Sequence, residues 1–334
     1  MKHKLPIFPA AVLGLVIGIA SIPLVWPIVS ARAGASAVVA TPGAIQDSEV
    51  PSSLVRDAAV TLAAQDSVNV KLRLRVDMFG QELKGSGRYL QGASSSRQFR
   101  FELKLQLGDT FSSVQQVCDG QSLWIRRQID GPPTIAKVDL AKVDASIELA
   151  NANGGIAGNS APGAGPPMLI PGAGGLAAGG LAGVLFGLDR ACDFREATDT
   201  TIGEVPMRVA TGTWKASQLV RMLPDQKAAI EGGGKVDLTK LPLHMPDRVV
   251  VYLGRDDLFP YRIEYRRSTG GNPLAALDAS SVKTMVSMEL FEARFNSGVD
   301  PQEFIYTPGA APVGDETPAY LAELGIPQSA PAPN

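Results

Sequence analysis

Val68-Asn69-Val70-Lys71-Leu72-Arg73-Leu74-Arg75-Val76-Asp77-Met78 alternates apolar and polar residues for eleven positions without a slip. Only an extended chain has a two-residue side-chain period, so this stretch predicts a β-strand with one dry and one wet face. At about 3.3 Å per residue it reaches roughly 36 Å, longer than a typical strand. Gly80 ends it, and a second strand runs through Gly85-Ser86-Gly87-Arg88-Tyr89-Leu90. The alternation returns with Phe99, Phe101, Leu103, Leu105 and Leu107 on one face and Arg100, Glu102, Lys104 and Gln106 on the other. Val114 to Val117, Leu123 to Arg127 and Thr134 to Val138 continue the series, separated by Asp119-Gly120 and Asp130-Gly131 turns. Such a run predicts an antiparallel meander that is dry on one side.

Working outward, Ser53 caps a predicted helix from Leu54 to Gln65. On the other side the material changes. Eleven of the 33 residues from 151 to 183 are glycine, and large apolar residues are few. Ordering such a stretch would cost on the order of 30 kcal/mol in backbone entropy that its side chains cannot offset. It reads as a mobile insert. Beyond it come a short helix at Leu181 to Leu188 and strands at Phe194 to Thr201 and Met207 to Trp214. A helix follows from Ser217 to Glu231, kinked or broken at Pro224, then strands at Val249 to Leu253 and Tyr261 to Arg266. A long strand from Val282 to Phe295 changes its apolar phase near Leu290-Phe291, which predicts a β-bulge. A last short strand is expected at Glu303 to Tyr306. The organisation predicted is a lead-in at 34–52, one domain over 53–309 carrying the insert, and a flexible tail at 310–334 with one amphipathic piece, Pro318 to Ile326.

The first thirty-three residues read as a targeting device. Lys2, His3 and Lys4 precede an apolar run from Leu5 to Val29, and Ser30-Ala31-Arg32-Ala33 fits cleavage after Ala33. The 13 residues between Pro9 and Pro23 make roughly 20 Å of helix, which suits a signal peptide better than a bilayer span. An uncleaved anchor is the other reading. No cysteine follows the run to carry a lipid. Export to the periplasm or cell envelope makes Cys118 and Cys192 a candidate disulfide. Closing that loop of about 75 residues would contribute roughly 4 kcal/mol in the chain-entropy model.

Composition narrows the function classes. The net charge is −2, from 31 Lys plus Arg against 33 Asp plus Glu, so no basic field is present to attract nucleic acid. Apolar residues are 45% and charged residues 19%, a globular balance. Aromatics at 6% form no girdle, which argues against a transmembrane barrel. Catalytic machinery is hard to assemble. The exported part has a single histidine, His244, in a Pro-rich loop, and no Gly-x-Ser-x-Gly elbow. One His and two distant Cys do not make a metal site. Asp256-Asp257 reads as a turn. Gly172-Ala173-Gly174-Gly175-Leu176-Ala177 matches a dinucleotide fingerprint only formally, since no strand precedes it. The expectation is a protein that is not an enzyme and takes no cofactor or metal.

Three patches carry a family resemblance: Lys84-Gly85-Ser86-Gly87-Arg88-Tyr89-Leu90, Val117-Cys118-Asp119-Gly120-Gln121-Ser122-Leu123-Trp124-Ile125, and Val299-Asp300-Pro301-Gln302-Glu303-Phe304-Ile305-Tyr306-Thr307-Pro308. In their order and spacing the chain resembles the LolA-like family, periplasmic outer-membrane lipoprotein carriers and their relatives, over residues 54 to 309. The resemblance implies a mainly β (α+β) fold: a strongly curved antiparallel sheet, or unclosed β-barrel, with helices plugging its concave face. It implies a partner in a lipid, an acyl chain or a lipoprotein. Candidate lining residues are Val70, Leu72, Leu74, Val76, Phe99, Phe101, Leu103, Leu105, Tyr261, Ile263 and Tyr265, because wide apolar walls suit an acyl chain. Plain core packing is the rival account of each. A structural or sensory module that binds an envelope protein partner is the alternative function.

Overall fold

The computed structural model describes residues 53–78, 80–107, 110–129, 131–152, 179–268, 282–323 and 326. The predicted signal segment and cleavage site, the lead-in, most of the glycine-rich insert and the last residues of the tail lie outside the described residues.

The first strand and its neighbours form as the alternation requires. β1 (Val68–Met78), β2 (Gln81–Gln91), β3 (Gln98–Leu107), β4 (Thr110–Asp119), β5 (Ser122–Ile129) and β6 (Thr134–Asp139) are a meander, each strand antiparallel to the next. A second meander runs through β7 (Cys192–Ile202), β8 (Val205–Trp214), β9 (Arg248–Gly254), β10 (Pro260–Ser268) and β11 (Val282–Phe295). β1 pairs with β11, which fuses the two into one sheet of order β12-β6-β5-β4-β3-β2-β1-β11-β10-β9-β8-β7, where β12 is Val313–Asp315. The sheet is large, curved and unclosed, with β12 and β7 at its edges.

Two local features are tied to the backbone path. The register of β1 against β11 shifts between Asn69 and Lys71, and Glu292 opposite takes φ 53°, so the predicted bulge is present. In mid-β2 a Cβ at Gly87 would lie 1.8 Å from the Glu102 carbonyl oxygen, so only glycine permits that approach of β2 to β3.

One face of the sheet is dry. Along β1 the residues from Val68 to Met78 alternate between buried and more exposed. Two helices sit on this face, α1 (Leu54–Ala63) and α3 (Gly180–Ala191); α2 (Leu140–Ala152) follows β6. Ser53 caps α1 by accepting from the Arg56 N–H. At the same end Asp189 of α3 accepts from the Ser53 hydroxyl and from Arg56 Nε at 2.9 Å. The N-terminus of α1 thus meets the C-terminus of α3, an antiparallel pair. Between β8 and β9 the chain forms α4 (Ala216–Met222), a 3-10 turn at Pro224–Gln226 and α5 (Lys227–Glu231), broken at Pro224 as expected.

Several expectations need correction. Cys118 and Cys192 are free, buried thiols. Cys118 lies on β4 beside Tyr89, and Cys192 opens β7 beside Tyr265, with seven strands between β4 and β7 in the sheet. Residues 301–304 are a 3-10 turn instead of part of a strand: Asp300 Oδ1 accepts from the Gln302 N–H, Pro301 starts the turn, and Phe304 is buried. The insert is shorter than 151–183, because α2 extends to Ala152 and α3 begins at Gly180. The tail is ordered further than expected, since β12 and α6 (Thr317–Glu323) follow residue 310. Its Tyr320, Leu321 and Ile326 are buried in the core, which supplies the free energy to hold it.

Candidate functional site

Cross-strand register places the apolar residues in rows on the inner face. One row runs Leu290, Leu72, Gly87, Leu103, Val114. The row beside it runs Val70, Tyr89, Phe101, Gln116, Ile125. Ten of the eleven predicted lining residues are buried and share one continuous core cluster spanning both meanders and both helices. The eleventh, Tyr261, is half-buried at the margin, where its hydroxyl donates to Asp257 Oδ2 at 2.8 Å. Burial and that carboxylate push its phenol above the ordinary range.

A short polar relay crosses this interior. The Leu181 N–H at the start of α3 donates to the Tyr89 hydroxyl at 3.1 Å, which donates to Gln91 Oε1 at 2.8 Å. Gln91 Nε2 donates to the Leu62 carbonyl at the end of α1 at 3.2 Å. Each helix end leaves unpaired backbone groups, and here two side chains from one strand take one from each helix. The close packing sets Gly180, at φ 57°, where a Cβ would stand 2.3 Å from the Tyr89 oxygen. Burial raises the Tyr89 phenol well above its usual value, so it stays protonated and able to donate.

The opposite face is polar and carries a strap. Arg88 Nε and Arg100 Nε donate to Glu102 at 2.9 and 2.7 Å, and Arg88 Nη2 donates to Glu303 at 3.0 Å. Tyr306 stacks on Trp124 with ring centroids 5.5 Å apart. The chain then rounds the β6 edge as β12, parallel to β6, and returns to the inner face as α6.

Arg127, Glu316, Tyr89 and Gln91 were not singled out from sequence. Arg127 shares the phase of Leu123 and Ile125, so a polar residue on a dry face was visible there. The amphipathic piece at 318–326 was the signal for α6.

No group of three or more His, Cys, Asp or Glu capable of holding a metal occurs among the described residues. Burial and the neighbouring Arg267 charge push the His244 imidazole below its ordinary value. Asp257 is occupied in its turn, accepting from the Phe259 N–H and from Tyr261. A shallow cavity of about 250 Å³ opens at the sheet end between Asp66, Gln98, Asn296 and Pro301, and it includes none of the predicted lining residues.

These features define a class: an open β half-barrel with an apolar, helix-covered interior. Among solved structures the chain is similar to the Mycobacterium tuberculosis lipoprotein LppX, at 13% identity and TM-score 0.31, covering 74% of this chain and 95% of that one. LprF from Mycobacterium bovis gives 10% and 0.30, covering 74% and 93%. MucB in the Pseudomonas aeruginosa MucA/MucB complex gives 11% and 0.33, covering 76% of this chain and 61% of the other. Likenesses this distant carry nothing about ligand or partner. No protein-family model matches the chain, and no curated protein matches it in sequence.

Proposed function

We propose that the protein is a non-catalytic carrier of the cell envelope that holds a lipid, an acyl chain or a lipoprotein against its inner face. The observation that supports this is the continuity of the apolar cluster. It extends from β6 across β1 to β7, so one apolar wall runs almost the full width of the sheet. An acyl chain asks for a long apolar wall and few polar groups, gaining about 0.8 kcal/mol per buried methylene. To that wall we assign Val70, Leu72, Leu74, Val76, Phe99, Phe101, Leu103 and Leu105 on one meander and Ile263 and Tyr265 on the other, with Tyr261 at the margin. Entry then requires α1 and α3 to shift, because these residues are packed beneath them.

The test is uptake by delipidated protein. A fluorescent long-chain fatty acid should bind in a stoichiometric complex, and lipid should co-extract with protein purified from cells. A folded, delipidated chain that takes up neither would overturn the reading. One observation favours a second function: β7 is a sheet edge, and its residues 197–201 are exposed. An exposed edge offers backbone groups to another chain. A single dominant protein crosslinked in cells, with no lipid uptake, would favour that module.

A further inference from the structure

Arg127 interrupts the apolar inner face at one place. Its cross-strand partners are Val114 and Thr134, so it continues the row that begins with Leu290, Leu72, Gly87 and Leu103. The side chain is 16% exposed. Nη1 and Nη2 donate to the two carboxylate oxygens of Glu316 at 2.7 and 3.1 Å. Nε is buried and has no acceptor among the described residues. A buried donor without an acceptor is destabilising, and a planar guanidinium suits the fork of a carboxylate or a phosphate.

The second observation is what delivers Glu316. The tail reaches the inner face by a three-residue parallel ladder, Val313 to Asp315 on Ile135 to Lys137. The Glu316 N–H donates to the Lys137 carbonyl, and the Thr317 hydroxyl accepts from the Asp139 N–H. Just beyond, Tyr320, Leu321 and Ile326 enter the same apolar cluster as the inner-face residues. One continuous piece of chain therefore presents a carboxylate to Arg127 and an apolar body to the wall next to it. That is the chemical outline of an anionic amphiphile.

We infer that Arg127 is the head-group site for an anionic amphiphile, a carboxylate or phosphate on an acyl tail. Glu316, Tyr320, Leu321 and Ile326 occupy this site as a stand-in that the ligand displaces. The inference rests on the carrier reading and gives its ligand a charge. Arg127 binds the head group with Nη1 and Nη2 in place of Glu316, and Nε is the spare donor for a further ligand oxygen.

Binding of oleate, oleoyl lysophosphatidate and oleyl alcohol to the delipidated full chain tests this by displacement of a neutral polarity-sensitive dye. The two anionic probes should bind about tenfold tighter than the alcohol, the size expected of one charge-assisted pair. Their order distinguishes a carboxylate from a phosphate preference. Arg127→Gln should bring oleate down to the level of the alcohol. Glu316→Gln, which keeps Arg127 but removes its carboxylate partner, should tighten oleate about tenfold. Equal binding of oleate and alcohol by the unsubstituted chain overturns the inference. So does an acid preference that survives Arg127→Gln, or a Glu316→Gln chain no tighter than the parent. Should all three probes fail to bind a folded chain, the carrier reading itself falls.

Discussion

Glu102 shows how one side chain couples the outer face to the strap. Burial raises its carboxyl pKa, but hydrogen bonds from Arg88 and Arg100 outweigh that and hold it at about 2. A folded pKa below the unfolded one means the group stabilises the fold above the unfolded value, near 4.5, and loses that contribution as pH falls toward 2. Glu102→Gln should therefore lower the urea midpoint at pH 7, with the deficit shrinking between pH 4.5 and 2. A deficit that stays constant over that window would sink the account. The alternation of β3 placed Glu102 on the wet face beside Arg100, while its partners from other strands, Arg88 and Gln115, were not legible. Arg88 comes from the neighbouring strand, and Glu303, which accepts from the same Arg88, comes from far along the chain; only the register and the strap bring them within reach.

At the scale of elements, period decided what could be read. Strands alternate over long runs, so all eleven long strands were foreseen, with ends that moved by a few residues where turns have little pattern. The bulge in β11 was legible because Leu290 and Phe291 break the alternation. α2 was missed: among its described side chains only Leu140 and Val143 are buried, too little for a stripe, although Asp139 accepting from the Lys142 N–H was a cap signal. α1 was foreseen from its stripe, while the reason α1 and α3 stay on the sheet was not. That reason is the relay through Tyr89 and Gln91. Tyr89→Phe removes the acceptor of the Leu181 N–H and the donor to Gln91, which should cost about 1–3 kcal/mol. Urea unfolding measures it, and amide exchange at the start of α3 should rise more than in β8 and β9. Equal exchange changes in both regions would argue against an anchoring role.

For the whole molecule, the question is whether two meanders behave as one unit. Their inner residues form one cluster, and each thiol sits in a different meander: Cys118 in the first and Cys192 in the second. Burial pushes the Cys118 thiol up to about 11 and the Cys192 thiol up to about 12, so neither is a ready nucleophile at neutral pH. Both should resist maleimide in the native state and become reactive at the same urea midpoint. Separate midpoints would show the meanders unfolding independently, and a native mass lacking two hydrogens would reveal a bridge after all.

Side-chain period is a local property, and from it the chain alone determined a series of two-faced strands and the helix before them. Pairing across long separations is not local. The junction of β1 with β11, the free state of two cysteines on strands far apart in the sheet and the return of Glu316 to Arg127 were decided by the folded sheet, because its curvature and edges set which distant residues share a face.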